Sequence, residues 1–489
     1  MSKVNESRCG RICEEVEMRK GSFFILGSLL LFATLSYAAT VERVLVRQQW
    51  PWHRLVKVEY HLSDVSSPVD ISVSLSAGGT AVVVPADALD GALFAISSGG
   101  VYSFTIDPSK TSLAEVPRLS DLRVMIAPVA ASASSLFALY KVYDLVSGEC
   151  EDVTAGEIVN GQRGAWKLAD TNAAHLAAGT VNAAAVTNII WTGFNSGNEY
   201  KTSKLVMRYL PGATAKVNLL NRSDKDPATI GVDYYAGVYE VTQKQWELVY
   251  GSAAACSWVS DTKPVNTVSY NSIRGADATN YWSAATGGNA PHPDSFLGKL
   301  RAKTGGVAFD LPTRAMMEYA TQANSLWRLA SNGKDASVCK KSAWNDNSPF
   351  ANIPISSGTV DDNLPGTYAG NAGSAGPAVV GSYACNMVGL YDTIGNVREW
   401  CVDWHDGNVT QTNYNECQGA ANVDPEDPSK VWKNNVADKT GYKRFRFGSI
   451  YSTPLSNGMT PNYLLSGWGL APSGTDADTG FRLVVVVGE

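Results

Sequence analysis

The sequence has little of what most enzymes use for transition-metal or nucleophilic chemistry. Among its 489 residues there are five histidines, and no two of them form an HxxxH pair: His53, His61, His175, His292 and His405. It has no GxSxG motif, Walker loop or dinucleotide-binding fingerprint. No two cysteines have the CxxC spacing of a structural zinc site. These absences exclude the common signatures of serine hydrolases, nucleotide-binding enzymes and zinc-binding modules.

Positive charge is also in short supply. The formal net charge is -6, and no run of like charges stands out. Nucleic-acid binding requires a basic face, so we expect no nucleic-acid partner. Hydrophobic residues make up 45% of the chain and charged residues 18%, which is typical of a globular protein. At this length we expect two or three domains.

The apolar run near the N-terminus is shorter than a membrane-spanning helix normally requires. Arg19 and Lys20 precede an apolar stretch from Phe23 to Leu35, shorter than the roughly 18–20 residues that a spanning helix needs. Ala38 closes a small-x-small cleavage site. We therefore predict a signal peptide over residues 1–38, with Met18 as a candidate start of translation. The mature chain would have no stable membrane span and would be exported to the periplasm, the cell surface or the medium. The alternative is an N-terminal membrane anchor.

Six cysteines follow the predicted cleavage site: Cys150, Cys256, Cys339, Cys385, Cys401 and Cys417. An even number in an exported chain is compatible with disulfides, and six cysteines allow 15 complete pairings. The spacing does not choose among them. We expect a mixture of disulfides and buried thiols.

Residues 41–130 alternate between apolar and polar residues. Several stretches place apolar side chains at every second position: Val56, Val58, Tyr60 and Leu62; Val69, Ile71, Val73 and Leu75; Leu122, Val124 and Ile126. Polar residues such as Asp70 fall on the opposite faces. Short alternating strands separated by Gly, Ser and Pro predict a small antiparallel β-sandwich of immunoglobulin-like size.

The pattern changes after residue 130. Residues 131–203 have weak strand character, and we interpret them as a connecting region. From residue 204 helix signals appear: Thr242 with Gln245 three residues later forms a capping box, and Gly251 ends that helix. Further helices are expected after Ser269 and Thr313. Residues 481–487 have the composition of a buried C-terminal strand.

Five segments in this second part carry a family resemblance. They are 237–242 (GVYEVT), 264–270 (PVNTVSY), 311–320 (LPTRAMMEYA), 389–400 (GLYDTIGNVREW) and 479–482 (TGFR). In this order they resemble the markers of the formylglycine-generating enzyme, or sulfatase-modifying factor, family. Arg398, Met316 and Met317 depart from the usual family residues. The resemblance implies a C-type-lectin-like α+β domain over 204–488, preceded here by the β-sandwich.

The segment 389–400 also suggests a metal site. Gly395 allows a tight turn between two carboxylates, and calcium accepts six to eight oxygen ligands, including backbone carbonyls. The resemblance implies a structural calcium ion held by the side chains of Asp392 and Glu399 and by the carbonyls of Gly395 and Val397. The alternative is a plain turn in which Glu399 forms a salt bridge. A second family calcium site would lie in the stretch 361–371.

The resemblance also shows what is missing for catalysis. Enzymes of this family oxidise a cysteine of a sulfatase to formylglycine with oxygen and copper, and two thiolates near the C-terminus hold the soft Cu(I) ion. The matching strand is 447–450 (FGSI), and the two thiol positions are occupied by Ser452 and Asn457. No cysteine follows Cys417. We therefore expect neither copper nor formylglycine-generating activity.

The sequence thus favours an exported, non-catalytic family member. It would act as a calcium-stabilised scaffold that binds a protein or a glycan through loops such as 339–374 and 410–439, since recognition usually resides in loops. The alternative is a formylglycine-generating-type oxidase, or a related metal-dependent oxidase, that acts on a protein substrate with other ligands.

Overall fold

The structure is a computed structural model that describes most of the residues between Ala39 and Val487. The described residues are 39–48, 53–85, 88–116, 118–119, 121–168, 189–217, 228–230, 232–275, 291–321, 376–383, 385–386, 388–393, 395–405, 443–447 and 467–487. The predicted signal peptide over 1–38 lies outside them. In the part of the chain that is described, no helix combines the length and the apolar character needed to cross a membrane.

The N-terminal region, residues 39–130, forms two antiparallel sheets. Its strands are β1 (Thr40–Gln48), β2 (Val56–Ser63), β3 (Val69–Ala77), β4 (Thr80–Val82), β5 (Leu89–Gly91), β6 (Gly100–Ile106) and β7 (Leu122–Ala130). One sheet has the order β1-β2-β6-β5 and the other the order β4-β3-β7. Both sheets contribute to one apolar core, which includes Val58 and Leu62 from the first and Ile71 and Leu75 from the second. The assignment of this region to an immunoglobulin-like sandwich stays a prediction.

The alternation predicted for β2 is confirmed. Every second residue from Val56 to Leu62 is buried, and the residues between them are only partly buried. Asp70 in β3 is different, because it is 8% exposed although the pattern placed it on a polar face. Its carboxylate accepts hydrogen bonds from the backbone N–H groups of Ala95 and Ser132 and from the Ser135 hydroxyl. These three donors account for the burial of a charged residue.

The second region, residues 131–487, mixes short helices with strands. The helices are α1 (Ala155–Val159), α2 (Gln243–Tyr250), α3 (Tyr270–Arg274), α4 (Phe296–Lys303) and α5 (Arg314–Thr321). The strands are β8 (Ala138–Asp144), β9 (Cys150–Thr154), β10 (Trp166–Leu168), β11 (Ile189–Trp191), β12 (Lys204–Leu210), β13 (Ala213–Val217), β14 (Ala228–Ile230), β15 (Tyr234–Gly237), β16 (Arg398–His405), β17 (Lys443–Phe447), β18 (Gly467–Leu470), β19 (Thr479–Gly480) and β20 (Val484–Val486).

A five-stranded antiparallel sheet, of order β20-β15-β12-β8-β9, lies at the centre of this region. It separates two hydrophobic cores. Val206 of β12 packs in one core and Leu205 in the other, as do Val484 and Val485 of β20. A second sheet has the order β18-β17-β16-β19, in which β16 and β19 run parallel. The described chain is therefore a mixed α+β protein.

The central sheet includes strands from the segment that we had interpreted as a connecting region, 131–203. β8 pairs with β12 over Lys204–Arg208, and β9 pairs with β8. The sheet therefore begins near residue 138 rather than at 204. Strand β8 gave a weak signal because Tyr140 and Tyr143 face opposite cores, so its apolar residues do not alternate with polar ones.

The three predicted helix starts are confirmed. Helix α2 has the capping box of Thr242 and Gln245, and Gly251 follows it with φ of 91°. Ser269 caps α3 through the N–H of Ser272, and the Thr313 hydroxyl accepts from the N–H of Met316 at the start of α5. Each cap satisfies a backbone donor that the first helical turn leaves free.

The predicted C-terminal strand is shorter than expected. β20 covers Val484–Val486 and pairs with β15. Phe481 and Leu483 are buried without belonging to it. Trp400 is fully buried and donates its indole N–H to the Val268 carbonyl at 3.0 Å.

Hydrogen bonds and close packing connect the N-terminal region to the second region. Asn160, directly after α1, accepts hydrogen bonds from the N–H groups of Leu93 and Phe94, at 2.6 and 2.7 Å, and its amide donates to the Phe94 carbonyl. Gly156 in α1 lies so close to Ala95 that a Cβ atom at Gly156 would come within 2.5 Å of the Ala95 methyl group. We call these contacts of Asn160 and Gly156 with residues 93–95 the joint.

Candidate functional site

The positions expected to hold catalytic thiols, Ser452 and Asn457, lie outside the described residues, as do 448–450 of the matching strand. Strand β17 ends at Phe447, just before them. The absence of cysteine after Cys417 is a property of the sequence and does not depend on their placement.

Four of the six cysteines are described, Cys150, Cys256, Cys385 and Cys401, and no disulfide joins any two of them. Cys339 and Cys417 lie outside the described part of the chain. Partial desolvation raises the pKa of Cys150 and of Cys256 above the usual thiol value. Both thiols are thereby disfavoured as thiolates, the form that binds copper and attacks substrates.

The segment 389–400 forms a tight loop that leads into β16. Asp392 and Asn396 have positive φ angles of 55° and 58°, and Gly395 has φ of 88°. Such angles are unusual for residues other than glycine and indicate a backbone held by its surroundings. The loop directs Asp392, Asn396 and Glu399 into the protein interior, where each is at most 2% exposed.

Asp392 is only partly satisfied by hydrogen bonds. Its Oδ2 accepts from the N–H of Gly381 at 2.7 Å, whereas its Oδ1 is buried and has no hydrogen-bond partner among the described residues. Burial raises the pKa of Asp392 to about 6, although the Gly381 hydrogen bond and the charge of Arg482 act in the opposite direction. A buried oxygen of this kind costs free energy unless a proton or a cation satisfies it.

Both carboxylate oxygens of Glu399 accept hydrogen bonds from Arg482. The Arg482 Nη2 lies 2.9 Å from the Glu399 Oε1, and its Nε lies 3.2 Å from Oε2. Both side chains are almost completely buried. Burial raises the pKa of Glu399, and the charge of Arg482 opposes that shift. The salt bridge named as the alternative for Glu399 is therefore present.

Arg482 also joins three backbone segments. Its Nη1 donates to the carbonyls of Gly237 and Val238, both at 2.9 Å, and its Nη2 donates to the Tyr391 carbonyl at 2.8 Å. Burial alone would lower the pKa of Arg482, but the carboxylates around it raise the pKa above the usual value. All three guanidinium nitrogens of Arg482 thus donate to acceptors, which lie at 237–238 and in the segment 389–400.

Glu240 is the third buried carboxylate of the cluster. Its Oε2 accepts from the Asn396 amide at 2.6 Å, and its Oε1 accepts from the Val397 N–H at 3.2 Å. Burial and the charges of Asp392 and Glu399 raise its pKa well above the usual value. We call Glu240, Asp392, Asn396, Glu399 and Arg482 the buried charge cluster.

Sequence reasoning named Asp392 and Glu399 but missed Glu240 and Arg482 as members. Both missed residues stand inside quoted family markers, 237–242 and 479–482. The available signal was a charged residue inside an otherwise apolar marker, since buried charges are rare unless they are paired. Arg482 pairs with Glu399, 83 positions away along the chain, and its backbone contacts reach back 245 positions to Gly237.

Of the two predicted carboxylate ligands, Asp392 has the oxygen that is more available to a hard cation. Asp392 offers one unsatisfied oxygen, whereas both oxygens of Glu399 already face a guanidinium. Among the described residues, no three His, Cys, Asp or Glu side chains are grouped so as to hold a metal ion. A calcium ion would therefore depend on backbone carbonyls, such as those predicted at Gly395 and Val397, in addition to Asp392. The predicted second site, 361–371, lies outside the described residues.

Comparison with known proteins places this chain in a family. Residues 153–486 match the sulfatase-modifying factor enzyme 1-like domain. A protein of Paenibacillus barcinonensis called chaperone protein LppX is 30% identical over 234 residues, which are 45% of this chain and 78% of that protein.

Two solved structures also resemble this chain. They are variable protein 1 of Treponema denticola, with 19% identity and a TM-score of 0.33, and PvdO of Pseudomonas aeruginosa, with 18% identity and a TM-score of 0.38. Each match covers 58% of this chain, with 95% of the first and 94% of the second structure. The family match spans more than half of the sequence, and the chain belongs to the sulfatase-modifying factor enzyme 1-like family.

Proposed function

We propose that this protein is an exported, non-catalytic family member that binds another protein through the loops of its C-type-lectin-like domain. The observation that carries the proposal is the missing thiol pair, because Ser452 and Asn457 stand where the family enzymes have cysteines. Neither a hydroxyl nor a carboxamide is a ligand for Cu(I), which prefers thiolates. Without that metal the oxidation of a substrate cysteine has no site at which oxygen is activated.

The described cysteines offer no replacement pair. Cys385 and Cys401 are buried among hydrophobic residues, whereas Cys150 is exposed at the edge strand β9. Thiols in such different environments do not form the accessible pair that a substrate peptide would need. This supports a binding role over the alternative of a related oxidase.

A protein partner is favoured over a glycan by one of the relatives. The Paenibacillus barcinonensis relative is named a chaperone protein, and the aligned part covers 78% of its length. We therefore propose a chaperone-like interaction with another exported protein. The segments proposed as binding loops, 339–374 and 410–439, lie outside the described residues and enter on sequence grounds alone. The N-terminal region would act as a spacer or as a second contact surface.

A turnover assay tests the non-catalytic part. Residues 39–489 are incubated with a sulfatase-motif peptide, copper and oxygen, and the peptide mass is followed for loss of the thiol. We expect no conversion. The matched control carries Ser452→Cys and Asn457→Cys, which restores the thiol pair alone. Conversion by the unaltered chain would overturn the proposal and make the oxidase the better interpretation.

A refolding assay tests the protein partner. A chemically denatured secreted enzyme is diluted with and without an equimolar amount of residues 39–489, and light scattering and recovered activity are recorded. We expect less aggregation and more recovered activity, and an equal mass of serum albumin controls for nonspecific crowding. No effect on refolding, together with saturable retention on a glycan array, would replace the protein partner with a glycan.

We also propose a calcium ion at Asp392, where it would neutralise the unsatisfied Oδ1 of that buried side chain. A ligand that binds only the folded state raises stability by about 2.7 kcal/mol at a hundred times its Kd. Calcium should therefore raise the Tm of residues 39–489 over the value in EDTA, and Asp392→Asn should remove most of that increase. An equal shift in both proteins would place the ion elsewhere.

Export has its own test. N-terminal sequencing of protein recovered from outside the cytoplasm should begin at Ala39, because a signal peptide is removed at its small-x-small site. Recovery of chain that retains Phe23–Leu35 in the membrane fraction would favour the anchor instead.

A further inference from the structure

The two edge strands of the central sheet differ in how they are covered. At one edge, Val484 of β20 exchanges two backbone hydrogen bonds with Asp310, both at 2.9 Å. At the other edge, β9 pairs only with β8 among the described strands. Cys150, Glu151 and Asp152 of β9 are exposed. β9 is therefore an open edge of this sheet.

The register of β9 against β8 determines which of its backbone groups point outward. The Asp144 N–H donates to the Glu149 carbonyl, so these two residues form a hydrogen-bonded pair. Hydrogen-bonded and non-hydrogen-bonded pairs alternate along an antiparallel ladder. Glu151 therefore bonds to β8, whereas Cys150 and Asp152 occupy the positions that do not. The N–H and C=O groups of Cys150 and Asp152 point away from the sheet.

The open part of β9 ends at Thr154. The Thr154 N–H donates to the Glu157 carboxylate at 2.9 Å, as part of the capping box of α1. Before that point β9 contains neither proline nor lysine, which commonly protect an edge strand. Its outward groups lie on alternate residues, which is the spacing that an added antiparallel strand requires.

The charges along β9 favour a different chain over a second copy of this one. Glu149, Glu151 and Asp152 are exposed carboxylates. When two β9 strands pair antiparallel through their outward groups, the register places Glu151 opposite Glu151, Asp152 opposite Asp152, or Glu149 opposite Glu151. Like charges directly opposite each other are destabilising. The edge therefore disfavours self-association and favours a strand that carries positive charge.

The carboxylates of β9 remain available to such a strand. Asp152 lies 2.6 Å from the Lys141 Nζ, and Glu151 lies 2.6 Å from the Arg163 Nη1. Both acidic side chains are nevertheless about half exposed, at 52% and 50%, and exposed ion pairs of this kind are weak. Glu149 forms no salt bridge with any described residue. An incoming lysine or arginine would thus add charge contacts to the backbone hydrogen bonds.

We propose that β9 is a strand-addition site for an extended segment, carrying lysine or arginine, of the exported protein that this chain binds. This inference rests on the proposed function, which supplies the protein partner. In strand addition, main-chain hydrogen bonds provide the affinity, and they depend little on the sequence of the added strand. That property is what a chaperone-like interaction with incompletely folded proteins requires.

The experiment measures the binding of a fluorescent synthetic peptide of alternating Val and Lys residues to residues 39–489 by fluorescence anisotropy. We expect the peptide to bind. The same peptide methylated at every backbone nitrogen should bind roughly tenfold more weakly or less, because it has lost its donors. A peptide with Glu in place of Lys should also bind more weakly, because the carboxylates of β9 repel it.

Two substitutions at one position separate the backbone of β9 from its side chains. Asp152→Pro removes the carboxylate and the outward N–H but leaves the hydrogen bonds to β8, since proline is tolerated on an edge strand where its nitrogen faces solvent. Asp152→Ala removes the carboxylate alone. We expect the proline variant to bind the lysine peptide roughly tenfold more weakly and the alanine variant no more than about threefold more weakly.

The outcomes distinguish the site from the function. Equal binding of the methylated peptide, which requires no variant to fold, would overturn the site at β9, as would equal binding by the two variants or no binding of the lysine peptide. In the refolding assay, protection by Asp152→Pro equal to that by the unaltered chain would overturn the site and leave the protein partner standing. Weaker protection by Asp152→Pro than by Asp152→Ala, at equal Tm, supports both proposals.

Discussion

The interiors of the N-terminal region and of the second region are stabilised by different kinds of interaction. The shared core of residues 39–130 consists of apolar side chains and Tyr60, and Asp70 is the buried charged residue among the described positions there. The second region buries several charges, including Arg274 with Asp310 and Arg482 with Glu399. A core of apolar side chains is non-directional, whereas a buried ion pair is stable only with its partner in place. A core substitution in the N-terminal region should therefore lower the free energy of unfolding in proportion to the apolar area it removes. Loss of one partner of a buried ion pair in the second region should lower it by a large step.

The largest effect is expected at Arg482. Replacing it by Met leaves Glu399 buried without its cation and frees the carbonyls of Gly237, Val238 and Tyr391, so we expect a loss of about 3–5 kcal/mol in the free energy of unfolding. Urea unfolding followed by near-ultraviolet circular dichroism measures the loss.

The control for Arg482→Met adds Glu399→Leu. Removing both charges should recover part of the stability, because an apolar pair of similar volume can replace a buried ion pair. If the double variant is as unstable as the sum of the two single variants, the cluster is held by its backbone contacts rather than by charge.

Leu62→Ala tests the apolar core of the N-terminal region. Leu62 is fully buried in β2, and truncation should cost about 3 kcal/mol through lost burial and the cavity left behind. Hydrogen exchange of β2 and β6 measures the local loss. His61→Ala changes the neighbouring residue, whose imidazole faces Glu42 at the surface, and should cost less than about 0.5 kcal/mol. Similar losses in both variants would contradict the alternating packing.

Asn160→Ala tests how the two regions are connected. The substitution leaves the N–H groups of Leu93 and Phe94 and the Phe94 carbonyl without their partner, and we expect a loss of about 2 kcal/mol. Faster hydrogen exchange at residues 92–95, with little change in β15, would show that the joint opens locally. Asn160→Asp retains the acceptor oxygen and should lose less; an equal loss would assign the main role to the amide donor.

The smallest effect should appear at Gly381, next to Asp392. A Cβ atom there would lie 2.5 Å from the Asn195 Oδ1 and from Cε1 of Tyr239, so Gly381→Ala forces packed side chains apart. Gly161 has nearly the same φ, 72° against 70°, and open space around it. We expect Gly381→Ala to cost about 1–2 kcal/mol more than Gly161→Ala, measured as the difference in urea midpoint at constant m-value. Equal costs would mean that only backbone strain matters.

Local sequence patterns were sufficient to predict the structure where residues close together in the sequence interact. The faces of β2 follow from its alternation, and the start of α2 follows from Thr242 and Gln245, because strand faces and helix caps involve residues only a few positions apart. The family markers were likewise readable, and residues 153–486 confirm the family.

Local sequence patterns failed to predict the structure where segments far apart in the sequence contact each other. Asp70 was expected at the surface, but backbone donors at residues 95 and 132 bury it. Strand β8 lacked alternation because the central sheet is covered on both faces. Glu399 was expected as a calcium ligand, and whether it shares in such a site stays untested, but its salt bridge with Arg482 arises 83 positions along the chain.

The sequence by itself determined the family, the alternating N-terminal strands, the helix starts and the loss of the copper-binding thiols, since each is a matter of residue identity at short spacing. Tertiary structure alone decided which buried charges are paired and which oxygen is left over. Arg482 reaches Glu399, Gly237 and Tyr391 only after the chain has folded. Electrostatic free energy depends on distance and burial in space, and neither can be read from separation along the chain.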